Sequence, residues 1–386
     1  LRGGRVLGRF FVGGGGLDPR GIFTAFRDRS RCSGDLLARR ALRANCRRTG
    51  AGRLAGAMNM TADIDWKPSA PLSALRLRAQ VNAAIRAYFT ATAALEVETP
   101  ILSAAANTEP NIQSFHTRFS GPVRGGEPLR YLRTSPEFAL KRLLAAGIGD
   151  CYELGRVFRD GEAGGRHNPE FTLLEWYRLG WRIEPLMDEV ARVLQNLAGL
   201  VDRRLTVERL SYDALYRERL GIDWRRDPLA ALQAPLAQFG IDPDGLGRDD
   251  WLDLLMTHLI QPTLPVDQLL FVHDFPPSQC ALARIEGEGE QAVAKRFEAY
   301  WGRWEVANGY HELSDADEQA ARFASDNQRR RQRGLPSLPI DTALLAALQQ
   351  GLPDCAGVAV GVDRVLMALS GSAQIADQLA FDFARA

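Results

Sequence analysis

The stretch from Val157 to Phe171 concentrates side chains suited to chemistry. Between two runs of strand character it carries Arg159, Asp160, Glu162, Arg166, His167 and Asn168, on a loop that also holds Gly161, Gly164 and Gly165. Side chains alternate along a strand, so Phe171, Leu173, Glu175 and Tyr177 share one face of the second run. An aromatic ring, a carboxylate and a phenol in a row would make a floor for a flat base and an amine. A half-buried strand with a surface ion pair accounts for the same residues. The chain has no GxxxxGK[ST] loop and no GxGxxG between a strand and a helix. A nucleotide bound here would therefore have its phosphates held by side chains, a task that the guanidinium fork of arginine suits.

The elements that must position these groups show in the periodicity. Leu77, Val81, Ile85 and Phe89 recur every four residues and predict a helix over 72–94. Leu95 to Glu98 reads as a short strand closed by Pro100. At Ser135-Pro136-Glu137, Ser caps a helix, Pro sits in its first turn and Gly147 ends it. Residues 151–158 and 171–178 read as strands, Trp301-Gly302-Arg303 as a hairpin turn between two more, and 315–333 as a charged amphipathic helix. The expected class is α+β, an antiparallel sheet flanked by helices. No internal repeat is visible.

At 386 residues and 46% hydrophobic, the chain can bury one large core or two modest ones. No run of eighteen apolar residues exists, so no membrane span is expected. The five cysteines form no CxxC pair, which favours reduced thiols and a cytoplasmic location. Residues 1–59 hold 13 Arg and three Asp with neither Lys nor Glu, hence +10, and leave −9 to the rest of a chain of net charge +1. With 12 glycines and no apolar period, that segment cannot offset its ordering entropy and is expected to be disordered. An RNA-binding arm, an organelle transit sequence and upstream sequence joined by a wrong start codon all fit it. The last is favoured, because the chain begins with Leu1 while Met58 and Met60 stand just before the first ordered stretch; the domain is expected over 60–386.

Taken together, these residues resemble a known family. Phe158-Arg159 through His167-Asn168-Pro169-Glu170-Phe171 looks like motif 2 of the class II aminoacyl-tRNA synthetases in its lysyl form. The helix and strand ending Val97-Glu98-Thr99-Pro100 look like motif 1, the dimer element, and Gly357-Val358-Ala359-Val360-Gly361-Val362-Asp363-Arg364 like motif 3. Glu305-Val306-Ala307-Asn308-Gly309-Tyr310-His311-Glu312-Leu313 resembles the lysyl signature that precedes motif 3.

The resemblance implies an ATP- and Mg²⁺-dependent adenylate-forming site and assigns roles within it. Arg159 would grip the α-phosphate and the substrate carboxylate, Phe171 would stack on adenine, and Arg364 would cover the γ-phosphate. Asp160, Gly161, His167, Asn168, Val306 and Gly361 would complete the nucleotide site, and Glu298 and Glu305 would be the magnesium carboxylates. Ser135, Pro136 and Glu137 would meet the substrate's amino group. Glu175, Tyr177, Asn308, Glu312 and Ala359 would line a lysine-type pocket, with Glu175 and Glu312 available for an ammonium. Carboxylate attack on phosphorus needs positioning and charge stabilisation rather than a protein nucleophile.

The sequence departs from the lysyl pattern in two ways. Gly161 stands where motif 2 usually has Glu, with Glu162 next to it, and Ala307 and Ala359 stand where lysyl-tRNA synthetases have Gly, each methyl expected to push into the site. Lysyl-tRNA synthetases also carry an N-terminal OB-fold that reads the anticodon. Here only the tail and residues 60–71 precede the motif 1 helix, and 22 residues follow Arg364. This organisation resembles the elongation factor P lysine ligases, truncated paralogues of lysyl-tRNA synthetase. That implies activation of (R)-β-lysine, elongation factor P as acceptor, a homodimer through motif 1 and no tRNA partner. The alternatives are a minimal lysyl-type tRNA aminoacylase and a non-catalytic regulatory paralogue.

Overall fold

The four-residue apolar period becomes the helix Leu72–Ala91, which buries Val81, Ile85 and Phe89 completely. In the computed structural model residues 66–123 and 125–386 are described; the tail, with the expectation of disorder over 1–59 and of a domain start at Met60, lies outside them. The described strands are β1 (Leu95–Glu96), β2 (Leu102–Ser103), β3 (His116–Arg118), β4 (Leu129–Leu132), β5 (Cys151–Phe158), β6 (Glu170–Leu179), β7 (Thr206–Ser211), β8 (Gln268–Phe275), β9 (Ile285–Glu286), β10 (Val293–Trp301), β11 (Trp304–His311) and β12 (Cys355–Gly361).

The main sheet runs in the order β1-β5-β6-β12-β11-β10-β8-β7, with β9 paired to β10, and β2-β4-β3 form a small second sheet. Its inner pairs are antiparallel, as expected, but β1 with β5 and β7 with β8 are parallel. The sheet is therefore mixed. Each outer strand reaches its neighbour through a long crossover rather than a hairpin, and only a crossover can join parallel strands.

One face of the sheet carries the principal core. Leu174 and Trp176 of β6, Phe297 and Trp301 of β10 and Val358 and Val360 of β12 pack there with the helices Leu72–Ala91, Ile183–Gly199 and Val362–Ser370. The opposite face is covered at its two ends by separate clusters. At the β5-β6-β12 end, Leu140 and Leu144 of the helix Glu137–Ala145 meet Leu344 and Leu348 of the helix Thr342–Gly351 and Phe323 of the helix Ala316–Gln332. At the β10-β8 end, Tyr212, Tyr216, Trp251 and Leu255, from a region in which the sequence offered no reading, pack on Leu270 and Val272. Between these clusters the sheet face is left open.

Candidate active site

That opening is a cavity of about 420 Å³, floored by β6, β12, β11 and β10. Alternation along β6 brings Leu173, Glu175 and Tyr177 to it, and Arg296, Glu298 and Tyr300 arrive the same way from β10. On β11 the register slips at Val306, so that Tyr300 faces Glu305 and Ala299 faces Ala307. This bulge turns Glu305 and Asn308, an odd spacing, to the same side. It also corrects an expectation. Ala307 and Val306 both point into the core, so the Ala307 methyl does not enter the site and Val306 can offer only its backbone. Ala359 does line the cavity.

One end of the cavity is acidic. Glu175, 2% exposed, accepts hydrogen bonds from Ser135 Oγ at 2.6 Å and from the Tyr177 hydroxyl at 2.8 Å. Ser135 also accepts from the Glu137 backbone N–H at 3.0 Å, so one hydroxyl ties the start of the helix Glu137–Ala145 to β6. Pro136 is the N-cap rather than a first-turn residue and does not line the cavity. Lys141 was not foreseen. Fully buried, its Nζ lies 2.6 Å from Glu137 Oε1 and 2.6 Å from Glu312 Oε2. Nothing in the sequence marked it beyond its i,i+4 spacing from Glu137.

Burial governs the titration of this end. It pushes Glu175 up to about 8, with Glu137 adding to it and the hydroxyls of Ser135 and Tyr177 opposing. It pushes Glu312 up to about 7 against the pull of Lys141. Burial by itself would lower the Lys141 pKa, but Glu137 and then Glu312 outweigh it and hold the ammonium protonated. Tyr177 packs on Gly357, where a Cβ would fall 2.3 Å from its ring and 2.7 Å from Glu312 Oε1. Only glycine lets β12 pass beneath that phenol. Asn308 accepts from Arg296 at 3.1 Å and donates to Tyr310 at 2.8 Å, which locks its amide on the cavity wall.

The other end is basic. The Arg159 guanidinium stands 5.1 Å above the Phe171 ring and 3.7 Å from Glu162. Arg364 donates to the Glu305 carbonyl at 3.1 Å and lies 2.9 Å from His167 Nε2. Arginine only donates, so Nε2 accepts and the His167 proton sits on Nδ1. Burial pulls the Arg364 pKa down, Glu305 and Glu162 resist, and Arg159 and Arg166 add to the fall. This is the field of a site short of anions. Asp363 accepts the Thr172 backbone N–H at 2.6 Å and an ion pair from Arg78, which ties the strand of Phe171, the helix of Arg364 and the Leu72–Ala91 helix together.

A small recess beside the cavity is lined by Glu162, His167, Asn168, Phe171, Gly361 and Arg364. Asn168 works as a strut there, donating to Glu170 O at 2.7 Å and accepting from Phe383 N at 2.9 Å. Gly161 has φ +81°, a left-handed conformation that strains a glutamate, which gives the departure from motif 2 a backbone reason. Glu162 is the acid that reaches the site. Asp160 is exposed and lines neither space.

Glu298 and Glu305 are each 8% exposed. Glu298 is paired with Arg296 and the Tyr300 hydroxyl, while burial and then Glu298 push Glu305 up to about 8. Two buried carboxylates that repel each other fit a divalent cation. Among the described residues no group of three or more His, Cys, Asp or Glu could hold a metal. The pair could serve Mg²⁺ carried in on phosphates, an ion commonly bound by one or two carboxylates.

Residues 62–385 match the family model of the class II tRNA synthetases (D, K and N). The chain is 45% identical over 334 residues to the elongation factor P–(R)-β-lysine ligase of Yersinia enterocolitica, a match spanning 85% of this chain and 100% of that protein. It is 44% identical over 329 residues to proteins of the same name from Yersinia pestis and Yersinia pseudotuberculosis, across 83% of this chain and 98% of theirs. The chain belongs to the class II tRNA synthetases of the D, K and N type, and within them to the family of the elongation factor P–(R)-β-lysine ligases.

Proposed function

We propose that this ligase activates (R)-β-lysine with ATP and transfers it to the ε-amine of a lysine on elongation factor P. The observation that carries the substrate is a charge count. Burial alone keeps Glu175 and Glu312 partly protonated. Once ammonium partners ionise all three acids, Glu137, Glu175 and Glu312 bring three negative charges to one end of the cavity and Lys141 returns one positive charge, a deficit of two. Buried charges need partners, and a diamino acid supplies two ammonium groups. Its carboxylate then faces Arg159, on the border with the basic end.

The adenylate forms when an oxygen of that carboxylate attacks the α-phosphorus and the bond to the β-phosphate oxygen breaks, releasing pyrophosphate. Arg159 holds the two anions in line and stabilises the charge that builds on the phosphoryl oxygens. Arg364, braced by Glu305 O and His167, anchors the far phosphates. Phe171 provides the face against which adenine stacks. Glu298 and Glu305 would hold Mg²⁺, whose part is to neutralise phosphate charge. In the second step the acceptor amine attacks the acyl carbonyl, an amide forms, AMP leaves and the amine loses a proton.

The Yersinia relatives are named for this acceptor and this amino acid, which supports the assignment. Purified enzyme with ATP, Mg²⁺, (R)-β-lysine and elongation factor P should raise the factor's mass by one lysyl unit. No mass shift, or charging of tRNA at a comparable rate, would overturn the reading. The motif 1 region supports a homodimer: β1 is the sheet edge, and Leu95, Ile101 and Leu102 are 51%, 41% and 49% exposed. A sedimentation mass of one chain would refute it. No described helix is long and apolar enough to cross a membrane, and the reading expects the enzyme in the cytoplasm with its acceptor.

A further inference from the structure

We propose that Lys141 is a built-in ammonium that fills one cation position among Glu137, Glu175 and Glu312, and so fixes at two the number of ammonium groups that a substrate must bring. This rests on the reading of the cavity as an amino-acid-activating site. The geometry separates the three acids. Glu137 and Glu312 each lie 2.6 Å from Lys141 Nζ, whereas Glu175 receives only the hydroxyls of Ser135 and Tyr177. The Lys141 side chain is 1% exposed and stands behind the acids, which line the cavity while it does not. Leu140 and Leu144 anchor its helix in a packed cluster, and burial and the two ion pairs hold the side chain in place. Glu175 is thus the position for the first substrate ammonium, and Glu137, the more exposed of the two acids paired with Lys141, is the second.

The charged and titratable groups around Lys141 come from every packed element: Glu137 on its own helix, Cys151 on β5, Glu175 and Tyr177 on β6, Tyr310 on β11, Glu312 beyond it and Cys355 on β12. Burial and neighbouring carboxylates raise both thiols and both phenols, so they remain neutral near pH 7. The balance is left to the three acids and Lys141. Without Lys141 three carboxylates would share one dry site, and they cannot all stay ionised.

The test compares wild type, Lys141→Met and Lys141→Met/Glu312→Gln by (R)-β-lysine-dependent ATP–pyrophosphate exchange. The single variant should raise KM for (R)-β-lysine about 10- to 100-fold, as expected for breaking a buried pair. Its KM for ATP should stay within about twofold, because the nucleotide end is untouched. KM for the amino acid should also depend on pH more steeply than in wild type, where Glu175 and Glu312 already titrate at about 8 and about 7, and should fall as pH rises and the unpaired acids ionise. Removing both charges restores the deficit of two but costs one cavity acid, so the double variant should recover part of the loss, and it answers for a single variant that fails to fold. An unchanged KM in the single variant would overturn the proposal. So would a double variant that binds (R)-β-lysine no better than the single one or, where the single one fails to fold, fails to fold as well. Wild type that neither binds nor activates (R)-β-lysine would remove the parent reading, and this one with it; normal wild-type activity with unaltered variants would remove this one alone.

Discussion

The two ends of the cavity are built from the same strands and handle charge in opposite ways. At the amino-acid end, acids outnumber cations, and the shortfall is a whole number that a small substrate can supply. At the nucleotide end, Arg159, Arg166 and Arg364 crowd together until burial and mutual repulsion pull the Arg364 pKa down. That surplus matches a polyanion. One is a lock for a counted charge, the other a field for a diffuse one, and Arg159 stands where they meet. Alternation along β6 makes this possible, since Phe171 serves one end and Glu175 and Tyr177 the other from a single face.

The largest expected effect comes from breaking the border. Arg159→Ala should slow pyrophosphate exchange about 10²- to 10³-fold, the loss typical of a donor aimed at developing charge; a change below tenfold would put the border elsewhere. Next is the bare acid of the substrate end. Glu175→Gln should raise KM for (R)-β-lysine about 10- to 100-fold with KM for ATP unchanged, and a parallel rise in both constants would mean that the two ends are not separable. Gly357→Ala drives a methyl into the Tyr177 ring and Glu312; it should destabilise the fold by about 1–3 kcal/mol, read as a lower midpoint in thermal unfolding.

Titration tests both ends at once. Glu175 and Glu305 are each raised to about 8, so the folded state keeps protons that the unfolded chain releases above about 4.5. The stability that these two groups contribute to the ligand-free enzyme is then fullest below that point and falls as pH rises towards 8. Thermal scans at pH 5 and pH 8 should show the higher midpoint at pH 5, and (R)-β-lysine with Mg²⁺-ATP should narrow the gap; a reversed order would refute the shifts. The smallest effect belongs to Ala359→Gly, which should move preference towards α-lysine by a few-fold, as one methyl in a pocket allows. An unchanged ratio would mean that Ala359 is not the selector.

Much of the frame was readable because it is local. The helix over 72–94, the strands at 151–158 and 171–178, the Gly302 turn and the helix over 315–333 follow from periodicity and turn residues, and the structure bounds each within a few residues. The candidate acids and arginines were found by type and motif, and most of them do meet at one cavity. What escaped was relational. The parallel outer strands depend on crossovers, the inward turn of Ala307 depends on a single-residue bulge at Val306, and the short helices between β7 and β8 depend on packing against β8.

Sequence alone determined the chemistry on offer: arginines rather than a phosphate loop, paired carboxylates, and a glycine-lined strand leading to Arg364. Residue types and their order carry that information without a fold. Only the tertiary structure decided the charge that the site presents, because a balance depends on which groups share a dry volume. Lys141 is one unremarked lysine in the chain until its helix is packed against β12, and there it becomes the one ammonium set against three acids.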